Sequence, residues 1–95
     1  MRLNISDAAR SDLRELHEYG REIYGETAAR SYLATILLTI EQIPEWPFAS
    51  RLRHEVRPPV RLLTRAAHNV FYDVQDDKIE IVRILHHSAD WVHIL

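Results

Sequence analysis

Asn69-Val70-Phe71-Tyr72-Asp73-Val74-Gln75-Asp76-Asp77-Lys78-Ile79-Glu80-Ile81-Val82-Arg83-Ile84-Leu85-His86 decides the fold. Val70–Val74 and Ile79–Leu85 are rich in β-branched, aromatic and long apolar residues, and each has strand length. Asp76-Asp77 between them is a hairpin turn signal. Upstream, Val60–Thr64 is a third run of the same kind. The last third of the chain therefore reads as a three-stranded antiparallel sheet.

Ahead of these strands the pattern changes. Residues 44–59 hold Pro44, Pro47, Pro58 and Pro59 and read as a loop, with Trp46 and Phe48 expected to pin it to the core. Before the loop, Ala29, Leu33, Ile36, Leu37, Ile40 and Ile43 recur at helical spacing, so a helix is expected from Thr27 to Ile43. Pro44 stops it. Another helix is expected from Asp7 to Tyr24, with Ala9, Leu13, Leu16, Tyr19 (or Gly20) and Ile23 as its apolar stripe. Gly25 ends that helix as a C-terminal cap, and Gly20 marks close packing against a neighbour. The short turn makes the pair an antiparallel hairpin. Leu3 and Ile5 alternate with Arg2 and Asn4, which gives a short strand over 2–5; Ser6 and Asp7 stop it and offer an N-cap. The tail, Ser88–Leu95, reads either as a short helix capped by Ser88 or as an extended arm. The whole is an α+β fold: N-terminal strand, antiparallel helical hairpin, then a three-stranded antiparallel sheet. It is expected to form a single domain over 1–95.

Composition narrows the function. The chain has 95 residues, 46% apolar and 27% charged, which is ordinary for a globular domain. It has no Cys, so disulfides, thiolate metal sites and thiol catalysis are excluded. No apolar run reaches the length of a membrane span, and Met1–Asp7 contains no signal-peptide h-region. A cytoplasmic location fits both. With two glycines there is no phosphate-cradling loop, and no cofactor is expected. His86, His87 and His93 lack metal-site spacing, and no metal is expected. Adjacent side chains at a strand end point to opposite faces, which sets His86 and His87 apart.

Net charge is −2 but unevenly spread. Residues 51–68 carry Arg51, Arg53, Arg57, Arg61 and Arg65 against Glu55 alone, while the flanking thirds are acidic. Such a band can meet an acidic partner or a phosphate backbone, or simply pair with neighbouring acids.

Three stretches, taken in order, resemble the ParE branch of the ParE/RelE toxin superfamily. Leu3-Asn4-Ile5-Ser6-Asp7-Ala8-Ala9-Arg10-Ser11-Asp12-Leu13 is similar to the family's opening strand running into s-x-x-A-x-x-D-L. Ile43-Pro44-Glu45-Trp46-Pro47-Phe48-Ala49-Ser50 is similar to its l-x-x-x-P segment after the hairpin. Val60-Arg61-Leu62-Leu63, the Tyr72 strand and Ile79–His86 are similar to its v-R-x-l … Y-x-v … I-l-R-V-l-H ending. The family often places an Arg-Asp pair after that His; here Ala89 precedes Asp90.

The resemblance implies the toxin of a type II toxin–antitoxin pair, neutralised by a ParD-like antitoxin. It offers two activities. ParE-like members are taken to inhibit DNA gyrase without cutting nucleic acid; here Arg61, Arg65, Arg83 and Trp91 would contact the target. An aromatic near a chain end, such as Trp91, can anchor a partner or cover the end of the core. RelE-like members cleave mRNA on the ribosome, which needs a base, a cation and an acid. Arg61 and Arg83 match phosphate-binding positions of those enzymes, and His86 or His87 would replace the terminal Tyr, for no Tyr follows Tyr72. A ribosome-binding toxin is usually strongly basic. A net charge of −2 with one Lys favours the ParE-like reading and disfavours direct nucleic-acid binding. A decayed toxin that keeps only antitoxin binding is the third possibility, raised by Ala89.

Overall fold

One hydroxyl joins the first strand, the first helix and the last strand. Strand β1 (Arg2–Ile5) enters helix α1 (Asp7–Tyr24) through Ser6. Ser6 Oγ accepts the Ala9 N–H at 3.0 Å and donates its own proton to the Val82 carbonyl at 2.8 Å. The cap thus satisfies a free amide of the first turn and bolts α1 to the sheet. The structure, a computed structural model, describes residues 1–95.

α1 ends at Gly25, whose φ of 90° lies where a Cβ is disfavoured and whose N–H returns to the Arg21 carbonyl. Helix α2 (Glu26–Gln42) starts at once and runs back. A Cβ on Gly20 would stand 3.4 Å from Ala29 Cβ, so the expected close approach of the helices is present. α2 stops one residue before the expected Ile43, and a 3₁₀ turn over Ile43–Glu45 takes Pro44 in its first residues.

The remaining strands are β2 (Leu52–Arg53), β3 (Val60–Arg65), β4 (His68–Val74) and β5 (Lys78–His86). They form one sheet of five strands in the order β1-β5-β4-β3-β2. The three expected strands are its centre. β1 adds in parallel to β5, and β2 adds antiparallel to β3. β2 was expected as loop because two residues, one of them Arg, carry no period. Between Phe71 and Tyr72 the register with β5 shifts: Phe71 faces Arg83 but Tyr72 faces Ile81. β5 therefore takes one extra residue there, a β-bulge.

Both faces of the sheet are covered. On one, Ala9 of α1 and Ile36, Ile40 and Ile43 pack on Val70, Tyr72, Ile79, Ile81 and Ile84. On the other, Val56, Val60, Phe71 and Leu85 gather Leu62, Val82, Trp91 and Leu95. That second cluster is closed by the loop before β3 and by the tail, which turns and forms the short helix α3 (Trp91–Ile94).

Some expected positions differ. Tyr19 and Ile23 are exposed, since the buried residues of α1 all lie in its first half. Trp46 and Phe48 do not pin their loop; they are 75% and 63% exposed. The loop is tied by its backbone instead, where the Tyr72 hydroxyl donates to the Pro47 carbonyl at 3.0 Å. Ser88 does not cap α3, whose N-cap residue is Asp90.

Candidate functional site

Arg83 sits at the bulge of β5, and Asp12 of α1 meets it. Arg83 Nε and Nη2 donate to the two Asp12 carboxylate oxygens at 2.8 and 2.9 Å. The Ile84 backbone N–H donates to the same carboxylate at 2.9 Å. Asp12 is 6% exposed. A carboxylate buried this deeply needs such partners, and a forked pair with an amide supplies three hydrogen bonds. The hydrogen bond to Asp12 raises the Arg83 pKa above the ordinary arginine value, against the effect of burial. This guanidinium is thus fixed against α1 at the bulge and only partly buried.

Arg61 lies on β3, on the face toward the helices, because it is paired with Tyr72. Its Nη1 donates to the Ser50 carbonyl at 2.6 Å, and its guanidinium stands 5.0 Å from the Phe48 ring centroid. That is a cation–π contact. Arg61 therefore braces the loop that leads into β2. Arg65 is two positions further along the same face; it is exposed and forms no ion pair.

Three of the six histidines, His68, His86 and His87, gather at one end of β4 and β5. His68 Nδ1 lies 2.7 Å from the Tyr32 hydroxyl of α2. The His68 and His86 rings meet edge to face with centroids 5.5 Å apart. His86 and His87 do not point to opposite faces; their rings lie 4.3 Å apart, because β5 ends at His86 and the chain turns. Burial, and then His86 and His87, lower the His68 pKa from its ordinary value. Burial raises that of Tyr32. Trp91 packs on Phe71 with ring centroids 5.4 Å apart and so covers the second cluster, while Val92 and Ile94 remain exposed.

Of the alternative catalytic set, His86 and His87 lie together and Arg61 lies apart from them. Arg61 pairs with Tyr72 and His86 with His68, four residues apart on β4. That is about 13 Å along a strand.

Residues 3–91 match the sequence profile of the ParE toxin of the type II toxin–antitoxin system parDE. The chain belongs to the ParE toxin family. Toxin ParE1 of Mycobacterium tuberculosis (strain ATCC 25618 / H37Rv) is 31% identical over 87 residues, covering 90% of this chain and 89% of the relative. Toxin ParE1 of Caulobacter vibrioides (strain ATCC 19089 / CIP 103742 / CB 15) is 32% identical over 86 residues, covering 90% and 88%. A solved chain from the chromosomal ParDE system of P. aeruginosa superposes with a TM-score of 0.80 at 22% identity, covering 90% of this chain and 95% of that one. That likeness concerns the fold.

Within this ParE framework, sequence reasoning overlooked Asp12. It stands in the A-x-x-D-L segment, three residues after the buried Ala9 and beside Leu13. A carboxylate on the apolar stripe of a helix was the available signal, since such a group must find a buried partner. Tyr32 and His68 were also overlooked, and no local pattern marks them. Only the pairing of β4 with β5 under α2 brings them to His86.

Proposed function

We propose that this ParE-family toxin arrests growth in the cytoplasm by binding DNA gyrase, without cutting nucleic acid, and that a cognate ParD-like antitoxin neutralises it. The observation that carries the non-nucleolytic reading is the engagement of both arginines that a nuclease would need. Arg83 is bound by Asp12, and Arg61 by Ser50 and Phe48. In the proposed binding role Arg61 and Arg83 act from within, by holding the loop and the bulge. Arg65 and the tail around Trp91 meet the target directly. Arg65 is exposed, and α3 presents Val92 and Ile94 outward.

The antitoxin reading rests on the family and on the helical hairpin. Tyr19, Ile23 and Tyr24 on α1 and Leu38 on α2 are exposed. An apolar segment that orders on binding would cover such side chains.

Tight induction of the chain alone tests the proposal. Arrested growth with lost negative supercoiling and intact transcripts is the expected result. Arrest with cut transcripts would replace it with a ribonuclease, and unimpaired growth with folded protein would leave antitoxin binding alone.

A further inference from the structure

Three adjacent strands bring basic side chains to one level of the sheet. Arg65 on β3 faces His68 on β4, and His68 faces His86 on β5. Directly opposed residues share a face. Here it is the face that carries α2, because His68 bonds to Tyr32. His87 stacks on His86 and completes the group. One level thus holds a guanidinium and three imidazoles.

Local bonds build this arrangement. The turn between β3 and β4 holds Ala66 at a φ of 51°, a left-handed conformation uncommon for a residue with a Cβ. Two bonds hold the next residue. The Ala67 N–H donates to the Tyr32 hydroxyl at 3.2 Å, and the His87 N–H donates to the Ala67 carbonyl at 2.8 Å. Tyr32, already accepting from Ala67, shares a second hydrogen bond with His68 Nδ1. The Ser88 N–H donates to His86 Nδ1 at 3.2 Å. With Nδ1 accepting from the Ser88 N–H, the neutral ring of His86 carries its proton on Nε2 and is a donor even before it is charged.

What the group lacks is a counter-ion. His17 and His93 each have a carboxylate within 3.9 and 2.6 Å. None of Arg65, His68, His86 and His87 has one within 4.0 Å. The acid that acts on His68 is Asp12, and its oxygens are taken by Arg83 and Ile84. The other faces of the group are Tyr32 of α2 and the rings of His86 and His87. A metal ion does not fit: the rings of His86 and His87 are stacked at 31°, Arg65 would repel it, and no three ligands converge.

We propose that Arg65, His68, His86 and His87 form a binding site for a tetrahedral oxyanion of the phosphate class. The anion supplies the missing negative charge and accepts from the guanidinium and the imidazole N–H groups. Its affinity rises as pH falls, because each imidazole that gains a proton adds positive charge. The ligand is either free phosphate or a phosphoryl group on a larger molecule.

Sulfate is the cleanest first probe, since its charge is the same at pH 6 and pH 8. The side-chain resonances of the six histidines are followed during a sulfate titration of the whole chain, against chloride at equal ionic strength. His54 and His93 are internal controls. At pH 6 the His68, His86 and His87 resonances move saturably and those of the controls do not. At pH 8, where the site carries less positive charge, the affinity is about tenfold weaker. Arg65→Gln, at an exposed position, weakens binding at pH 6 by about tenfold. Phosphate and a nucleoside monophosphate are then compared at pH 6. Equal affinity assigns the site to the free anion, and tighter nucleotide binding assigns it to a phosphoryl group; both support the site. Equal movement of all six histidines, the same affinity at both pH values, or full affinity in Arg65→Gln would each overturn the proposal.

Discussion

The face of the sheet under α1 and α2 is tied by polar bonds as well as by packing, whereas the opposite face carries the chain's tail on apolar contact. Asp12 and Arg83 join helix to strand with a buried fork, and Ser6 adds a second link through Val82. From Ser88 onward, every hydrogen bond of the tail stays within residues 86–95. Ala89, Trp91 and Leu95 hold it to Phe71 and its neighbours by packing. The difference teaches where the molecule is built to persist and where its surface can be remade by a partner. Apolar contacts without directional bonds slide and separate more readily than a buried fork, and the weakest-held units open first.

Substitution at the fork should have the largest effect. Asp12→Ala leaves the Arg83 charge and the Ile84 N–H without their partner and is expected to cost about 3–5 kcal/mol in a denaturant melt. Asp12→Leu with Arg83→Met removes both charges and should recover most of that loss. A melt of Asp12→Ala equal to that of the natural chain would show that the two faces do not differ in this way. Trp91→Ala is expected to cost less, about 1–2 kcal/mol, because the side chain is only partly buried. A larger cost at Trp91 than at Asp12 would reverse the comparison. Ser6→Ala loses the cap of α1 and should cost about 1 kcal/mol in the same melt.

The smallest effect is on pH dependence. Burial and the neighbouring rings hold the His68 pKa in the folded chain below the ordinary 6.5. Above that value the residue is neutral in both states and has no effect on the melt. As pH falls below it, the unfolded chain takes the proton first, so stability is lost down through the lower folded value. In chloride buffer, the stability difference between the natural chain and His68→Gln should therefore be constant above pH 7 and tilt against the natural chain toward pH 5. A flat difference over the whole range would remove His68 from the acid response.

Much of this architecture was legible from residue spacing. Ser6, Gly20 and Gly25 declared the start, the contact and the end of the hairpin helices, since each has a local physical role. Val70–Val74 and Ile79–Leu85 declared the central hairpin. The bulge was not legible, because an extra residue between Phe71 and Tyr72 is defined only against the partner strand. With the bulge went the internal role of Arg83, which reads as a candidate contact until Asp12 is seen beneath it. The exposure of Trp46 and Phe48 was hidden for a similar reason, for the bond that fixes their loop comes from Tyr72, 25 residues away. Sites that depend on register across strands, such as the row from Arg65 to His86, leave no trace in a single run of sequence.

The most direct measurement is gyrase supercoiling with the purified chain, its fold checked by melting, beside a Val92→Asp/Ile94→Asp variant altered only on the exposed side of α3. Loss of supercoiling in proportion to the natural chain is expected, with inhibition weakened in the variant and its melt unchanged. Undiminished supercoiling at a large excess of the folded natural chain would contradict a gyrase-directed toxin.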